Sequence, residues 1–449
     1  MNRMQAKKRL ILLELNEINF DLVKRYLSKF PGRFPGFENL LANKAIHTSS
    51  EVVYEELEPW IQWASVHTGK SYAEHKLFRL GDVVGSEAPQ YFEQLEVAGV
   101  SVGGISPMNA ENRLKKASYF IPDPWTKTPS DDSWWSRQLG AAVAQAVNDN
   151  AQSKITKRSA LCILLGLIRF AQFKHYPLYL KLAYQSIGSS WRRALLLDLF
   201  LHDLHTSFFR AKNPEFSTLF LNAGAHIQHH YFHNSPFISA ESGFKNPDWY
   251  ISSKLDPFSE MLEVYDCIIE EYLARDNYEF IVATGLSQCP YDQIKYYYRL
   301  KDHAAFLGKI GIDFLEIHPR MTRDFLVTFP SIDHATKAQN ILNSLRIEKK
   351  SKPLFGEIEN RGDQLFVTLT YPDEIVESDT VKLNSIKLDM LQEVAFVAIK
   401  NGMHQAKGFA FFSPGVAKLC PENGSHVKEL YSSVMNYFNN DGAKLSQAS

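Results

Sequence analysis

The chain has 449 residues, 45% hydrophobic and 22% charged, which excludes wholesale disorder and gives enough length for one large core carrying insertions. Its 49 basic and 50 acidic side chains balance, so no global field draws it to nucleic acid or an anionic membrane, and partners must be found by local chemistry. Four scattered cysteines (162, 267, 289, 420) form no close pair for a zinc knuckle or redox dithiol, and the apolar run Leu10 to Leu13 is too short for a signal-peptide core, so a reduced, cytoplasmic protein is expected.

Leu10 to Leu15 is a continuous apolar run ending in polar residues, the pattern of a buried parallel strand whose carboxyl end faces a site. Phe20 to Leu27 has helical spacing, and a helix at Tyr91 to Val97 leads into a glycine-rich strand, Val100 to Ile105. From Asp131 to Arg210 the pattern is helical and reads as a cap. Its most apolar stretch, Ala160 to Ile168, is broken by Arg169 and falls short of the roughly 20 residues that span a bilayer, so it reads as a buried or membrane-surface helix. Strands at Phe216 to Leu221 and Phe280 to Ala283 flank an amphipathic helix, Phe258 to Leu273.

A strand at Arg323 to Phe329, a helix at His334 to Leu345, and strands Phe355 to Glu359 and Gln364 to Thr370 suggest a small βαββ subdomain. The main sheet is expected to resume with Glu393 to Ile399 and Gly408 to Phe412. The predicted class is α/β: a doubly wound, mainly parallel sheet with a helical cap and a small inserted subdomain. The expected partition is core at 1–130, cap at 131–210, core at 211–319, small α+β insertion at 320–378, and core again at 379–449.

Five segments, in order, resemble signature segments of the alkaline-phosphatase superfamily, in its phosphodiesterase and nucleotide-pyrophosphatase-like or sulfatase-like branches. Ile11 to Glu17 is similar to the first-strand motif that ends in a metal-binding Asp, here Asn16. Glu58 to Lys70, followed by His75, resembles the nucleophile helix, with Pro59 at the nucleophile's place and Glu58 beside it. Phe220 to Phe232 resembles the motif in which an Asp and a His four residues apart bind metal; His229 stands, but the Asp place is Ala225. Phe280 to Gln288 occupies the place of the strand leading to Asp-His-Gly, with Gly285 and Leu286 at the ligand places. Gly402 to Phe409, leading to Ser413-Pro-Gly415, resembles the final His motif, with His404 as the ligand.

The resemblance implies that a two-cation design has lost three carboxylates and retains at most one divalent ion, zinc or manganese, at Asn16, His229 and His404, completed by Glu14, Glu17 or Glu58. The alternative needs no cofactor: Glu58, Glu17 and His404 perform acid–base catalysis, Gln62, Gln228 and Gln288 bind hydroxyl groups, and Trp63, with Trp60, offers a stacking face. Against these stand structural readings. Trp60 and Trp63 at helical spacing suit a core, Glu58 before Pro59 suits a helix amino terminus, and His202, Asp203 and His205 suit a solvated helix face.

The expected function is a divergent hydrolase or transferase acting on a phosphate or sulfate ester, or on a glycan, in bacterial cell-surface polysaccharide metabolism. A catalytically inactive binding protein and a metal-independent glycan-active enzyme are the alternatives. The expected partners are a small molecule or glycan, not nucleic acid, with no transmembrane segment and with peripheral membrane contact through the cap.

Overall fold

The computed structural model describes residues 9–148, 155–275, 277–319 and 323–439; the basic start, Met1 to Lys8, and residues 320 to 322 of the expected small insertion lie outside them. The chain divides into two compact units, one formed by Met1–Glu241, Lys254–Pro290 and Gly402–Ser449, the other by Ser242–Ser253 and Tyr291–Asn401.

The first unit is an α/β fold around a seven-stranded sheet. Its strands are β1 (Leu10–Leu15), β2 (Lys44–Thr48), β3 (Val102–Ile105), β4 (Tyr119–Ile121), β5 (Phe216–Leu221), β6 (Glu279–Ala283) and a late strand, Gly408–Phe412. The spatial order is β2, Gly408–Phe412, β6, β1, β5, β3, β4. Only the late strand runs antiparallel to its neighbours. Every residue of β1 and β5 is buried, as expected where helices cover both faces of a parallel sheet.

The sheet register places the functional loops. β1 pairs with β5 on one side and β6 on the other, Leu15 opposite Leu221 and Glu14 opposite Ala283. The ladder continues one step past the strand, because Asn16 N–H donates to Leu221 O (3.0 Å) and Glu17 N–H to Thr284 O (3.0 Å). Three loop starts are thereby held side by side at the carboxyl edge, where α/β sheets bind ligands.

The cap comprises helices Trp134–Asn148, Lys157–Phe170, Tyr176–Gln185 and Ser190–Lys212. Within the last, His202, Asp203 and His205 are all fully buried, which overturns the expected solvated face. Helical spacing showed that residues share a face; it did not show that this face packs against the sheet and the helix Pro257–Leu273. Nor is Glu393 to Ile399 a main-sheet strand: it belongs to Val394–Gln405, which pairs with Ser287–Leu300 in a two-stranded ribbon. Phe396 and Val397 are exposed there, so this apolar run is not the doubly covered kind that a central parallel strand requires.

In the second unit, strands Phe355–Asn360, Gln364–Leu369, Asp324–Thr328 and Glu316–Pro319 form an antiparallel sheet in that order, and the helix Ile332–Ser344 carries Ala335, Ala338 and Leu342 into its core. A hairpin, Thr380–Leu383 with Ile386–Asp389, completes it.

Candidate active site

Four of the residues singled out in the sequence converge at the carboxyl edge of the first unit's sheet. Glu17 follows β1 and adopts a left-handed backbone, φ 62°, a conformation that costs a non-glycine residue free energy and concentrates at functional positions. This turn sets its carboxylate beneath two imidazoles. Oε2 lies 3.1 Å from His229 Nε2 and 3.2 Å from His404 Nε2, and the two Nε2 atoms are 3.2 Å apart.

Each imidazole is oriented from behind. His229, on the helix Ala223–Tyr231, has Nδ1 3.2 Å from the carbonyl oxygen of Gly402. A carbonyl only accepts, so Nδ1 donates to it, and this fixes the ring with Nε2 toward Glu17. Behind His404 Nδ1 lies Glu58 Oε2 at 3.6 Å, an ion-pair distance long for a hydrogen bond. Glu58 is the N-cap residue of the helix Pro59–Thr68; its side chain makes no cap bond, and its Oε2 faces His404.

Glu17 is wholly buried. Burial alone would oppose its ionisation, but His404 and His229 more than offset this and hold the carboxyl well below the usual range. Gln288 Nε2 donates to the same Oε2 at 2.5 Å and to Ala225 O at 3.1 Å. Gln228 Nε2 donates to Glu17 O (2.9 Å) and Gly224 O (3.1 Å), while its Oε1 accepts from Asn19 N–H (3.0 Å). Gln62 donates to Glu56 O at 2.9 Å. All three glutamines are fully buried with their amide N–H groups engaged by the protein's own oxygens, while Gln62 Oε1 and Gln288 Oε1 have no hydrogen-bond partner.

Asn16 faces the site with the wrong end to be an oxygen ligand. The Trp63 indole N–H, which can only donate, meets Asn16 Oδ1 at 2.8 Å and thereby fixes the amide's orientation. Asn16 Nδ2 consequently donates to Glu17 Oε1 (2.9 Å) and Asn222 Oδ1 (2.8 Å). Trp63 is fully buried and offers no stacking surface; Trp60 is half-buried, its N–H bonded to Phe78 O. Glu14, the other carboxylate considered, points away from the imidazole pair: its Oε1 accepts from the Thr218 hydroxyl at 2.5 Å and lies 3.5 Å from His67 Nε2.

Two glycines allow this packing. A Cβ at Gly402 would collide with Gln288 Oε1 and come within 2.7 Å of Gln228 O, so only glycine lets this segment lay His404 on Glu17. Gly285 has φ 69°, and a Cβ there would lie 3.1–3.3 Å from the Trp63 indole. The indole therefore fills the side of the site where the motif resemblance puts a second pair of ligands, at Gly285 and Leu286.

The sequence reading missed Gly402, Asn222 and the bonding role of Trp63. A polar residue directly after a buried strand was the available signal for Asn222. Nothing in a sequence tells which acceptor an indole N–H meets.

The donor set fits one divalent cation. Ligand atoms around a tetrahedral ion with bonds of ~2.0–2.1 Å stand ~3.3 Å apart, close to the 3.1–3.2 Å edges of the triangle formed by Glu17, His229 and His404. Two imidazoles and one carboxylate suit zinc, manganese or iron(II).

A second buried cluster, under the cap, is built differently. His175 places Nδ1 2.7 Å from Asp203 Oδ1 and Nε2 2.9 Å from Glu271 Oε1. Burial disfavours its charge, but the hydrogen bonds and charges of the two carboxylates prevail and raise its pKa to about 9. With both ring nitrogens donating, His175 is an imidazolium clamp between the cap and the helix Pro257–Leu273, with no lone pair for a metal.

No family model and no curated protein matches this sequence. Solved structures of alkaline phosphatase superfamily members align with it over nearly their whole length. Phosphonoacetate hydrolase from Sinorhizobium meliloti 1021, in complex with phosphonoacetate, is 12% identical, with 96% of each chain covered and a TM-score of 0.44. Murine ectonucleotide pyrophosphatase/phosphodiesterase 5 in complex with AMP is 12% identical, covering 96% of this chain and 95% of that one, with a TM-score of 0.42. Alkaline phosphatase from the Antarctic bacterium TAB5 is 11% identical, covering 97% and 99%, with a TM-score of 0.37.

Proposed function

We propose that the chain is a phosphate-ester hydrolase working with one divalent cation, zinc or manganese, held by Glu17, His229 and His404. The observation that carries this reading is the triangle of Nε2, Nε2 and Oε2 atoms at 3.1–3.2 Å, with one imidazole fixed from behind by a carbonyl and the other backed by a carboxylate. Three such atoms so close need positive charge among them, which a bound cation supplies without a proton on either Nε2. When bound, such an ion polarises the ester and makes water a nucleophile near neutral pH. Pro59, at the place of the motif's nucleophile, has no group to attack phosphorus, so water is the attacking species. Glu58, partly exposed beside His404, takes the proton from that water and keeps His404 Nδ1 protonated.

The cap supports contact with an anionic membrane surface. No helix among the described residues is long and apolar enough to cross a membrane. Leu161, Leu164, Leu165 and Ile168, spaced as one helical stripe, are all exposed. From 157 to 185 the charged residues are Lys157, Arg158, Arg169, Lys174 and Lys181, with no acid among them; Lys174 and Lys181 pair with Glu271 and Glu263. An exposed apolar stripe flanked by basic residues is the pattern of an interfacial helix.

Elemental analysis of the purified protein, followed by assay of bis-p-nitrophenyl phosphate, p-nitrophenyl phosphate and p-nitrophenyl sulfate with zinc or manganese, tests the reading. We expect one ion per chain, loss of that ion in His404→Ala, and a kcat at least a hundredfold lower in Glu58→Gln with the ion retained. Failure to bind either cation, or an ion retained in His404→Ala, would overturn it.

A further inference from the structure

We infer that the cavity between the cap and the carboxyl end of β5 holds the hydrocarbon chain of an amphiphilic phosphate ester whose head group reaches Glu17 past Asn222. This rests on the reading of the Glu17 centre as ester-hydrolysing and names its substrate class.

The cavity measures about 580 Å³, within the ~300–1,000 Å³ of small-molecule sites and far larger than the voids that packing leaves. Val143, Val147, Ile163, Leu197, Phe200 and Leu201, from three cap helices, make most of its wall apolar. Asp198, the buried acid on that wall, is satisfied internally, accepting from Ala223 N–H (2.7 Å) and the Tyr265 hydroxyl (2.6 Å). It therefore presents no free acceptor to a guest, and Arg193, the other charged side chain on the lining, is exposed.

Beside Ser106 and the exposed Arg193, polar groups meet the cavity at Asn222 and His226, past the end of β5. Asn222 accepts from Asn16, which donates in turn to Glu17, so two side chains separate the cavity from the catalytic carboxylate. His226 is three residues before His229 on the same helix, one turn away. A guest with its chain among the cap helices thus has its head directed at the cation site.

The roof explains how such a guest arrives. Ile163 lines the cavity, while Leu161, Leu164, Leu165 and Ile168 of the same helix are exposed. A helix covering an ordinary core needs one apolar face. This one has an apolar side toward the cavity and another toward the outside, where its own Lys157, Arg158 and Arg169 match an anionic lipid surface.

Calorimetric titration of the full-length protein with butyl, hexyl, octyl and decyl phosphate, each below its micelle concentration and with chelator present, tests the inference. Each added pair of methylenes should tighten binding roughly tenfold until the cavity is full. Ala194→Phe and Ala146→Phe, which put a ring into the cavity from two different helices, should flatten that dependence while the far-ultraviolet circular dichroism stays unchanged. His404→Ala should preserve it.

Affinity independent of chain length in the wild type would overturn the inference, as would an unchanged dependence in both folded phenylalanine variants. If both variants unfold, the wild-type series decides. Chain-length dependence without any ester hydrolysis would refute the reading of the Glu17 centre alone; hydrolysis of bis-p-nitrophenyl phosphate without chain-length dependence would refute the cavity assignment alone.

Discussion

The clamp at His175 makes a quantitative prediction about stability and pH. Its pKa is raised to about 9 in the folded protein, against ~6.5 in an unfolded chain, so the native state holds the proton more tightly. A raised pKa contributes stability that is fully present below ~6.5 and lost as pH rises through about 9. The whole shift corresponds to a ceiling of ~3 kcal/mol, at about 1.4 kcal/mol per pH unit. An open cavity bordered by His175 and Glu271 admits water to the pair, and screening brings the expected figure to about 2 kcal/mol. Urea unfolding of the wild type and of His175→Gln at intervals from pH 6 to pH 10 isolates it, because titrations common to both proteins cancel in the difference. We expect the wild type's advantage to shrink by about 2 kcal/mol across that range. A difference that stays flat, or grows with pH, would refute the assignment of His175 as a buried imidazolium.

Gly402→Ala should abolish cation binding with little effect on the second unit, since the new methyl meets Gln288 and the Gln228 carbonyl; metal content checks this. Trp63→Phe keeps an aromatic ring but removes the N–H that pins Asn16 Oδ1, so urea unfolding should show a loss of ~1–3 kcal/mol, the cost of an unsatisfied buried acceptor. Leu164→Glu with Ile168→Glu should stop flotation with vesicles of equal parts phosphatidylglycerol and phosphatidylcholine while leaving the thermal midpoint unchanged, because both side chains are exposed.

Much of the fold was readable in the sequence, because the decisive signals were long and uninterrupted. The mainly apolar Leu10 to Leu15 and Phe216 to Leu221 suit strands covered on both faces, and each forms over the range expected. Glu393 to Ile399 misled for the same reason, since a run of apolar residues does not say whether one face or two will be covered. Helical spacing let two of His202, Asp203 and His205 share a face but was silent on what would pack over it; the Pro257–Leu273 helix does, its Tyr272 meeting both His202 and His205 and its Glu271 meeting His202. At the site, motif order sufficed to bring Glu17, Glu58, His229 and His404 together. The hydrogen bonds that orient Asn16, Gln228 and Gln288 lie beyond any spacing rule, because they join residues up to 271 positions apart through side-chain geometry alone.

The departures from the two-cation pattern interlock. Two dications need several carboxylates to offset their mutual repulsion, and here Glu17 alone stands within the ligand triangle. Gly285 leaves room for the Trp63 indole; the indole fixes Asn16 with its amide N–H toward Glu17; and that N–H engages Oε1, leaving Oε2 to both imidazoles and Gln288. Restoring an acid at position 16 alone would set a second buried carboxylate about 2.9 Å from the first, and like charges at that distance force one to take up a proton. Restoring one at 285 would drive a side chain into the indole. Each change is tolerable only in the presence of the others, as the proposed reading of a single-cation site requires.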